Sequence, residues 1–362
     1  MPMARILTIN PGSTSTKVAV YEDETPLAVQ VLYHQPEELR AYPSIAAQHT
    51  LRKEAVLAFL EANGLAVTSL QAVVGRGGIL RPIESGTYAV NPKMLAELQA
   101  PKDREHASNL GAIIAFDVAQ QAGCPAFIVD PVCVDEFEPL ARVAGLPEIE
   151  RRSLSHALNM KAVARRAARD LGRPYEQLNL VMVHMGGGIS VAAHRQGRQI
   201  DVNQALDGTG PFSPERAGGL PVGDVLRMAY RIHPYEAVQL TYDQFFKKIA
   251  GQGGLVAHLG SNDAREVERR IADGDAQARL IYEAMAYQIA KEIGAMTTVL
   301  CGIVDAVVLT GGLARSEMLV GWLRERAGWV AQVLVYPGED EMLAMTEGAL
   351  RVLRGEEPVR AY

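Results

Sequence analysis

Residues 6–21 read ILTINPGSTSTKVAVY, and residues 181–194 read VMVHMGGGISVAAH. Each stretch places a polar, glycine-containing turn between two apolar runs rich in β-branched residues, a pattern that predicts a β-hairpin. A charged turn follows each hairpin, at residues 22–24 and 195–198. Because one such hairpin opens each half of the chain, the two stretches indicate two similar domains that face a cleft.

Strands and helices alternate along the rest of the chain. Strands are predicted at residues 5–9, 17–21, 72–74, 126–129, 180–184, 190–193, 306–310 and 333–336. Helical patterns span residues 153–171 and 343–353, and a further helical pattern starts near Asp275. The apolar face of the helix near Asp275 carries Ile281, Met285, Ile289, Ile293 and Met296. The alternation predicts an α/β fold in which helices cover the sheets.

Composition narrows the class of protein. The chain has 362 residues, of which 48% are hydrophobic, enough for two domains with filled cores. Its net charge of −6 and the absence of a basic stripe argue against nucleic-acid binding. The apolar run at residues 293–309 is divided by a glycine and an aspartate, so no membrane span is expected. Cys124, Cys133 and Cys301 fit no zinc spacing, and we interpret them as small core residues in a reducing cytoplasm.

The first hairpin turn has the composition of a phosphate cradle. Gly12 permits an unusual backbone conformation, and the hydroxyls and N–H groups around Ser13 and Ser15 can surround phosphate oxygens. Lys17 adds a positive charge, and Asn10 begins the turn. The spacing differs from a Walker loop, and a strand rather than a helix follows. A merely structural polar turn is the alternative interpretation.

Two further glycine loops follow apolar strands. In the second hairpin, Gly186-Gly187-Gly188 weakens the sheet, which suggests that a ligand approaches the backbone. His184, at the end of the preceding strand, can donate a hydrogen bond to a phosphoryl oxygen, although a structural histidine is the alternative. Gly311-Gly312 stands between a strand and a helix, where a nucleotide can lie against the helix start.

In this order the loops resemble the adenosine- and phosphate-binding segments of the acetate and sugar kinase, heat-shock chaperone and actin superfamily. The chain resembles the acetate kinase family within it, and its butyrate kinase branch most closely. The motifs that carry the resemblance are TINPGSTSTK (8–17), GRGG (75–78), EHASNLGAI (105–113), VDPV (129–132), HMGGGIS (184–190), DGTGPFSPERAG (207–218), GGLVAHLGSNDAREV (253–267) and LTGGLA (309–314). Acetate kinases tend to be longer and carry asparagine at the position of Gly187, and both departures favour the butyrate branch.

The resemblance implies four catalytic residues. Asp130 matches an aspartate beside the transferred phosphoryl group, and His184 matches a histidine that touches this group. Arg216 matches an arginine that stabilises it. The family's other arginine precedes a glycine pair, and Arg76 is the arginine that stands nearest before Gly77 and Gly78 in this chain.

The resemblance also implies the residues that bind ATP and Mg²⁺. The nucleotide-binding set is Asn10, Ser13, Ser15, Lys17, Gly186, Gly187, Gly188, Asp263, Ala264, Arg265, Gly311 and Gly312. Asn10 and Glu341 match positions near the metal, and Glu339 stays open as the alternative to Glu341. Carboxylates of this kind suit Mg²⁺ as outer supports, because the ion usually keeps several waters.

The implied reaction is butanoate + ATP = butanoyl phosphate + ADP, by direct in-line phosphoryl transfer. A carboxylic acid has a pKa of about 4 and is ionised at pH 7, so the site needs cations rather than a general base. Isobutyrate, acetate or propionate are alternative substrates, with Ile79, Leu80 and Pro211 as candidate pocket walls. Less favoured are a hydroxyl (sugar) kinase, which needs a base, and an ATP-binding protein without phosphoryl transfer.

The expected organisation is two actin-like (ribonuclease H-like) domains around a nucleotide-binding cleft. We expect the domains at residues 1–179 and 180–340, with residues 341–362 forming a helix that returns to the first domain. The resemblance further implies a homodimer or higher homo-oligomer.

Overall fold

The structure is a computed structural model that describes residues 3–100 and 106–362. Glu105, the first residue of the third motif above, lies outside the described residues. The strands in this part of the chain are β1 (Arg5–Pro11), β2 (Ser15–Glu22), β3 (Thr25–Tyr33), β4 (Ala72–Gly75), β5 (Thr87–Ala89), β6 (Ala126–Val129), β7 (Asn179–Met185), β8 (Ile189–Arg195), β9 (Arg198–Val202), β10 (Ala306–Gly311) and β11 (Gln332–Pro337). The α-helices are α1 (Pro36–Arg40), α2 (His49–Ala62), α3 (Pro92–Gln99), α4 (Asn109–Ala122), α5 (Pro139–Arg142), α6 (Ala157–Asp170), α7 (Val222–Ala229), α8 (Tyr242–Ile249), α9 (Gly254–Leu259), α10 (Ala264–Ala272), α11 (Ala276–Val299), α12 (Glu317–Ala327) and α13 (Glu341–Leu353).

The described chain divides into two compact units. Unit 1 contains the described residues up to 134 together with residues 157–162 and 340–362. Unit 2 contains residues 135–156 and 163–339. Each unit is built on one mixed sheet, which confirms the predicted α/β class with two sheets.

The two sheets share one strand order. The sheet of unit 1 runs β3-β2-β1-β4-β6-β5, and that of unit 2, read from its other edge, runs β9-β8-β7-β10-β11. In both, the first three strands in sequence form antiparallel pairs. Strand β4 or β10 pairs parallel with the first of these three, and β6 or β11 pairs parallel with β4 or β10. The short strand β5 is an addition at the edge of the first sheet. The hairpin repeat seen in the sequence therefore extends to the whole sheet.

Helices cover both faces of the sheet in unit 1. On one face, α2 and α4 pack over Leu7, Ile9, Val18 and Val73. The backbone of α4 lies directly on β4, because a Cβ added to Gly75 would overlap the backbone of Gly111. On the other face, α13 packs against β1, β4 and β6 through a separate apolar cluster.

The core of unit 2 is organised around the long helix α11. Met285, Ile289 and Ile293 are fully buried against the sheet and Met296 almost so, which confirms the predicted apolar face. Ile281, at the start of that face, is only partly buried. The helix α11 contacts β7, β8 and β9.

All eight predicted strands are present, whereas β3, β5 and β9 were not predicted. The helix predicted at residues 153–171 begins only at Ala157. The interpretation of all three cysteines as core residues is wrong for Cys301, which is exposed in the turn that follows α11, whereas Cys133 is buried. Of the helices in the described residues, none has the length and apolar character needed to cross a membrane.

Candidate active site

A cavity of about 620 Å³ lies in unit 2. It opens onto the turn between β7 and β8, the start of α10 and the segment between β10 and α12. Its lining residues are Gly186, Gly187, Pro214, Glu215, Asn262, Asp263, Ala264, Arg265, Glu268, Gly312, Leu313, Arg315, Ser316 and Glu339. Six of the predicted nucleotide-binding residues, Gly186, Gly187, Asp263, Ala264, Arg265 and Gly312, are thus brought together around one cavity.

The three glycines of the β7–β8 turn leave space for charged side chains. A Cβ on Gly186 would lie 2.8 Å from Oε1 of Glu339, and one on Gly187 would lie 3.3 Å from Oε2 of Glu215. A Cβ on Gly188 would overlap the guanidinium of Arg216. We predicted that these glycines let a ligand approach the backbone. In the structure, the side chains of Glu339, Glu215 and Arg216 already approach the backbone at these positions.

His184 is buried at the end of β7, beside this turn. Its Nε2 lies 3.2 Å from Oε1 of Glu339. Its ring stacks on that of His156, with 3.9 Å between ring centroids and 11° between planes. Nδ1 of His156 lies 2.9 Å from the hydroxyl of Ser190, which also accepts a hydrogen bond from the His156 N–H. The ring of His184 is thus held from one side by stacking.

Arg216 lies over the third glycine of the turn. Its Nη1 donates a hydrogen bond to the carbonyl of Ala205, and its backbone N–H donates to the hydroxyl of Ser213, 3.2 Å away. The same hydroxyl donates to the carbonyl of Gly187, at 2.6 Å. Burial lowers the pKa of the Arg216 guanidinium, and the carboxylates of Glu215 and Asp207 act in the opposite direction.

The predicted Asp263-Ala264-Arg265 segment starts the helix α10. The Asp263 carboxylate caps this helix by accepting from the N–H of Arg265, at 3.0 Å. The Arg265 side chain donates two further hydrogen bonds to the same carboxylate, at 3.0 and 2.8 Å. These contacts with Arg265 hold the pKa of Asp263 below its usual range. The start of a helix and a paired cation therefore lie at this rim of the cavity.

Gly311 and Gly312 have different environments. Gly311 has a φ of +91°, and a Cβ there would overlap the backbone of Met185 in the neighbouring strand. Gly312 lines the cavity, and a Cβ there would meet nothing within 4 Å. Close packing against Met185 therefore explains why residue 311 is a glycine. Of the two glycines, Gly312 is the one whose backbone is open to the cavity.

The predicted residues Asn10, Ser13, Ser15 and Lys17 lie in unit 1, on the β1–β2 hairpin. Asn10 and Lys17 are directly opposite in the strand register. The turn is closed by a hydrogen bond from the Gly12 N–H to the Ser15 carbonyl, at 2.7 Å. Ser13 is exposed, whereas Ser15 and Lys17 are half-buried.

Three of the predicted residues meet at the first turn of α13. Nδ2 of Asn10 donates to Oε2 of Glu341 at 2.7 Å, and Nη1 of Arg76 forms an ion pair with Oε1 of the same carboxylate. The backbone N–H of Arg76 donates to the carbonyl of Ile9, which fixes Arg76 beside the end of β1. The amide and carboxylate oxygens are the hard ligands that suit Mg²⁺, but Arg76 already neutralises this carboxylate. Glu339, the alternative, lies in unit 2 beside His184.

Asp130 follows β6 in unit 1 and is buried. Its φ is +38°, in the left-handed region that is uncommon for aspartate. One carboxylate oxygen accepts from the hydroxyl of Ser85 at 2.6 Å and from the N–H of Gly86 at 2.7 Å. These contacts are to residues that the sequence did not single out.

Sequence reasoning also missed several residues of unit 2. Glu215, Glu268 and Arg315 line the cavity, and His156 supports His184. The DGTGPFSPERAG motif (207–218), which contains Glu215, was a usable signal for it. No local pattern pointed to His156, whose ring reaches its partner across 28 positions of sequence.

Comparison with known proteins shows similarity to one protein family. A sequence model of the acetokinase family matches residues 148–325 of this chain. The fold is similar to that of an acetate kinase from Porphyromonas gingivalis, with 20% identity and a TM-score of 0.77 over 97% of this chain and 100% of the other. A propionate kinase from Francisella tularensis subsp. tularensis matches with 19% identity and a TM-score of 0.74, over 96% and 99%. An acetate kinase from Entamoeba histolytica matches with 16% identity and the same TM-score, over 96% and 99%.

Proposed function

We propose that this chain is an ATP-dependent carboxylate kinase of the acetokinase family. The observation that carries the proposal is the cavity of unit 2, whose glycine turn is flanked by the predicted residues His184 and Arg216. The fold similarity to acetate and propionate kinases and the family match at residues 148–325 support it.

The proposed roles follow from electrostatics. A carboxylate attacking a phosphoryl group needs positive charge to offset the repulsion between two anions. We assign this task to Arg216 and His184 in unit 2 and to Arg76 and Lys17 in unit 1. Mg²⁺, bound with the nucleotide, would neutralise phosphate charge, and Asn10 and a glutamate, Glu341 or Glu339, would support it through oxygen atoms.

We assign Asp130 a supporting role rather than that of a general base. A hydroxyl kinase needs a carboxylate base that can take a proton from its substrate. One oxygen of Asp130 is already occupied by the hydroxyl of Ser85 and the N–H of Gly86. A carboxylate substrate makes no such demand, because it is ionised at neutral pH.

The experiment that tests the activity traps the product. Purified protein is incubated with Mg-ATP, a short-chain acid and hydroxylamine, which converts an acyl phosphate to a hydroxamate. We expect ATP- and acid-dependent hydroxamate with the wild type and at least about 10²-fold less with Arg216→Ala. ATP turnover stimulated by sugars, with no hydroxamate from any acid, would refute the proposal.

We propose butyrate as the preferred acid, following the resemblance to the butyrate kinase branch. Two methylenes more than acetate contribute about 1.6 kcal/mol when buried, at ~0.8 kcal/mol each. This corresponds to a roughly 15-fold gain in kcat/KM, so acetate should remain a poorer but detectable substrate. Comparing acetate, propionate, butyrate, isobutyrate and valerate at saturating Mg-ATP tests this, and a maximum at acetate would contradict it.

We also propose that the protein is a homodimer or a higher homo-oligomer, as the family resemblance implies. Sedimentation equilibrium at micromolar concentration should then give a mass of at least about twice the 39.2 kDa of one chain. A single species at the mass of one chain would overturn this part of the proposal.

A further inference from the structure

Arg52, on α2, is fully buried beneath the β1–β2 turn of unit 1. Its Nη1 donates to the carbonyls of Gly12 and Ser15, at 2.8 and 2.9 Å, and to the hydroxyl of Thr16, at 3.2 Å. Its Nη2 donates to the carbonyl of Ser13, at 2.9 Å. One guanidinium thus binds four oxygens of a single turn, from a position about forty residues away in sequence.

The charge of Arg52 is balanced by dipoles alone. Besides the turn, Nη2 donates to Oε1 of Gln48 at 3.0 Å. In the residues that the structure describes, no carboxylate forms an ion pair with Arg52, and burial lowers the pKa of its guanidinium. Arginine nevertheless keeps its charge in proteins, and burying a cation without an anionic partner costs free energy.

The hydrogen bonds of Arg52 also fix which way the peptide groups of the turn face. In a planar trans peptide the C=O and the following N–H point in opposite directions. With the carbonyls of Gly12 and Ser13 directed at Arg52, the N–H groups of Ser13 and Thr14 point away from it. Neither N–H donates to a protein acceptor in the described part of the chain, and both residues are exposed.

The exposed side of the turn therefore has the features of an anion site. It presents two unused N–H groups and the hydroxyls of Ser13 and Thr14, with a buried cation behind them. Donors fixed before the ligand arrives bind it without the cost of reorganisation. The resemblance implies that this turn holds phosphate oxygens. Arg52, a residue outside the turn, supplies a physical reason for that property.

We propose that Arg52 is the positioning residue of the phosphoryl-binding turn, since it orients the N–H groups of Ser13 and Thr14 and supplies positive charge behind them. The inference rests on the proposed function, because it identifies the anion of this turn as the phosphoryl group that is transferred. Arg52 itself does not reach the exposed side of the turn, so it acts through the backbone.

The test compares Arg52→Met and Arg52→Lys with Lys53→Met. Lys53 is the next residue on α2 and forms a 3.1 Å ion pair with Asp117, so its replacement removes an equal charge from the same helix. We expect Arg52→Met to lower kcat for hydroxamate formation about 10²-fold, because misplaced donors no longer match the phosphoryl group. Arg52→Lys should also be impaired, since one ammonium lacks the planar fork that serves several carbonyls. Lys53→Met should stay within about 2-fold of the wild type.

Two measurements separate positioning from loss of the fold. ADP affinity should change less than about 3-fold in Arg52→Met, since the cavity of unit 2 is lined by other residues. Guanidinium ion added to Arg52→Ala should restore at least about 10-fold in kcat, relative to the same salt added to Lys53→Met. Turnover of Arg52→Met equal to that of Lys53→Met would overturn the inference. Joint loss of ADP binding and turnover without guanidinium rescue would also overturn it.

The two proposals fail in different ways. If the wild type forms no acyl phosphate with any acid, the proposed function is wrong. The positioning inference is then decided by calorimetry of Mg-ATP and ADP. Mg-ATP binding that is at least about 10-fold weaker in Arg52→Met, with ADP binding unchanged, supports it. Equal Mg-ATP affinities for wild type and variant overturn it.

Discussion

The glycines of the β7–β8 turn matter at the residue scale because side chains occupy the space that a Cβ would need. Gly188 makes room for the guanidinium of Arg216, and Gly186 makes room for the carboxylate of Glu339. Opposite charges are thereby held against one backbone turn. In the proposed function, this turn holds the phosphates of the nucleotide while these side chains keep their places.

Replacing Gly188 by Ala tests this point. The new Cβ would overlap Nη1 and Cζ of Arg216, so the guanidinium must move from its contact with the Ala205 carbonyl. We expect kcat for hydroxamate formation to fall about 10²-fold, because one donor to the phosphoryl group is lost. Stability should change little, since the displaced group is the end of a side chain. Gly321→Ala, on α12 with nothing within 4 Å of the new Cβ, is the control and should be fully active.

His156 gives a second prediction at this scale. Its ring covers one face of His184, and its own position is set by Ser190. An aromatic pair contributes about 0.5–1.5 kcal/mol, so His156→Ala should lower kcat up to about 10-fold through a loosely held His184. His156→Phe keeps a stacking face and should retain most of the activity. Equal activities of the two variants in steady-state assays would show that stacking has no part in positioning His184.

At the scale of elements, the strands that could be predicted from the sequence are those that contain a clear apolar run. The strands β1, β7 and β10 each contain a run of mainly apolar residues that includes β-branched ones, and they were predicted. The edge strand β3 exposes the apolar residues Leu27, Val29 and Tyr33, so its sequence lacks an alternation of apolar and polar residues, and β5 has only three residues. The glycine turns of the candidate site could also be predicted, because the residues that form a turn are adjacent in sequence. Their supports, Arg52 and His156, come from distant elements and leave no local pattern.

The packing of α4 on β4 predicts unequal effects of two glycine substitutions. A Cβ on Gly75 would overlap the carbonyl of Gly111, so Gly75→Ala must separate a helix from a strand. We expect a loss of about 3 kcal/mol or more in the free energy of unfolding, as is typical of overpacking against backbone. Gly294, inside α11, has nothing within 4 Å of a new Cβ, and Gly294→Ala should gain about 0.5–1 kcal/mol. Urea unfolding monitored by circular dichroism measures both, and a stable Gly75→Ala variant would contradict the close approach of α4.

At the scale of the whole molecule, the two sheets repeat one strand order although the sequence displayed only their hairpins. Strands β4 and β10 join β1 and β7 in parallel, and β6 and β11 follow them. Long and unequal connections separate these strands in sequence, so no fixed period appeared. The packing of residues 157–162 with the first sheet was equally invisible to local patterns, because it depends on contacts with residues that are distant in sequence.

Stability of the molecule as a function of pH depends on groups whose pKa changes on folding. Burial lowers the pKa of His34 below its usual value, the charge of Arg52 lowers it further, and Glu38 opposes both. Nε2 of His34 lies 2.9 Å from the Thr16 hydroxyl, which also accepts a hydrogen bond from Arg52. Glu292, in unit 2, has its pKa raised by burial and then by Asp201, so its contribution has the opposite sign.

Between the lowered pKa of folded His34 and the unfolded value near 6.5, the unfolded chain binds more protons than the folded one. The free energy of unfolding of unit 1 should therefore be greatest above about pH 6.5 and should fall as the pH is lowered through this window. His34→Gln removes the titrating group, so its stability should depend less on pH than that of the wild type, with Glu292 unchanged in both. His233→Gln, at an exposed histidine beside Glu236, is the matched control and should follow the wild type. Urea midpoints from pH 5 to pH 8 supply the comparison. If the wild type and His34→Gln lose stability in parallel, the titration of His34 does not contribute to the dependence of stability on pH.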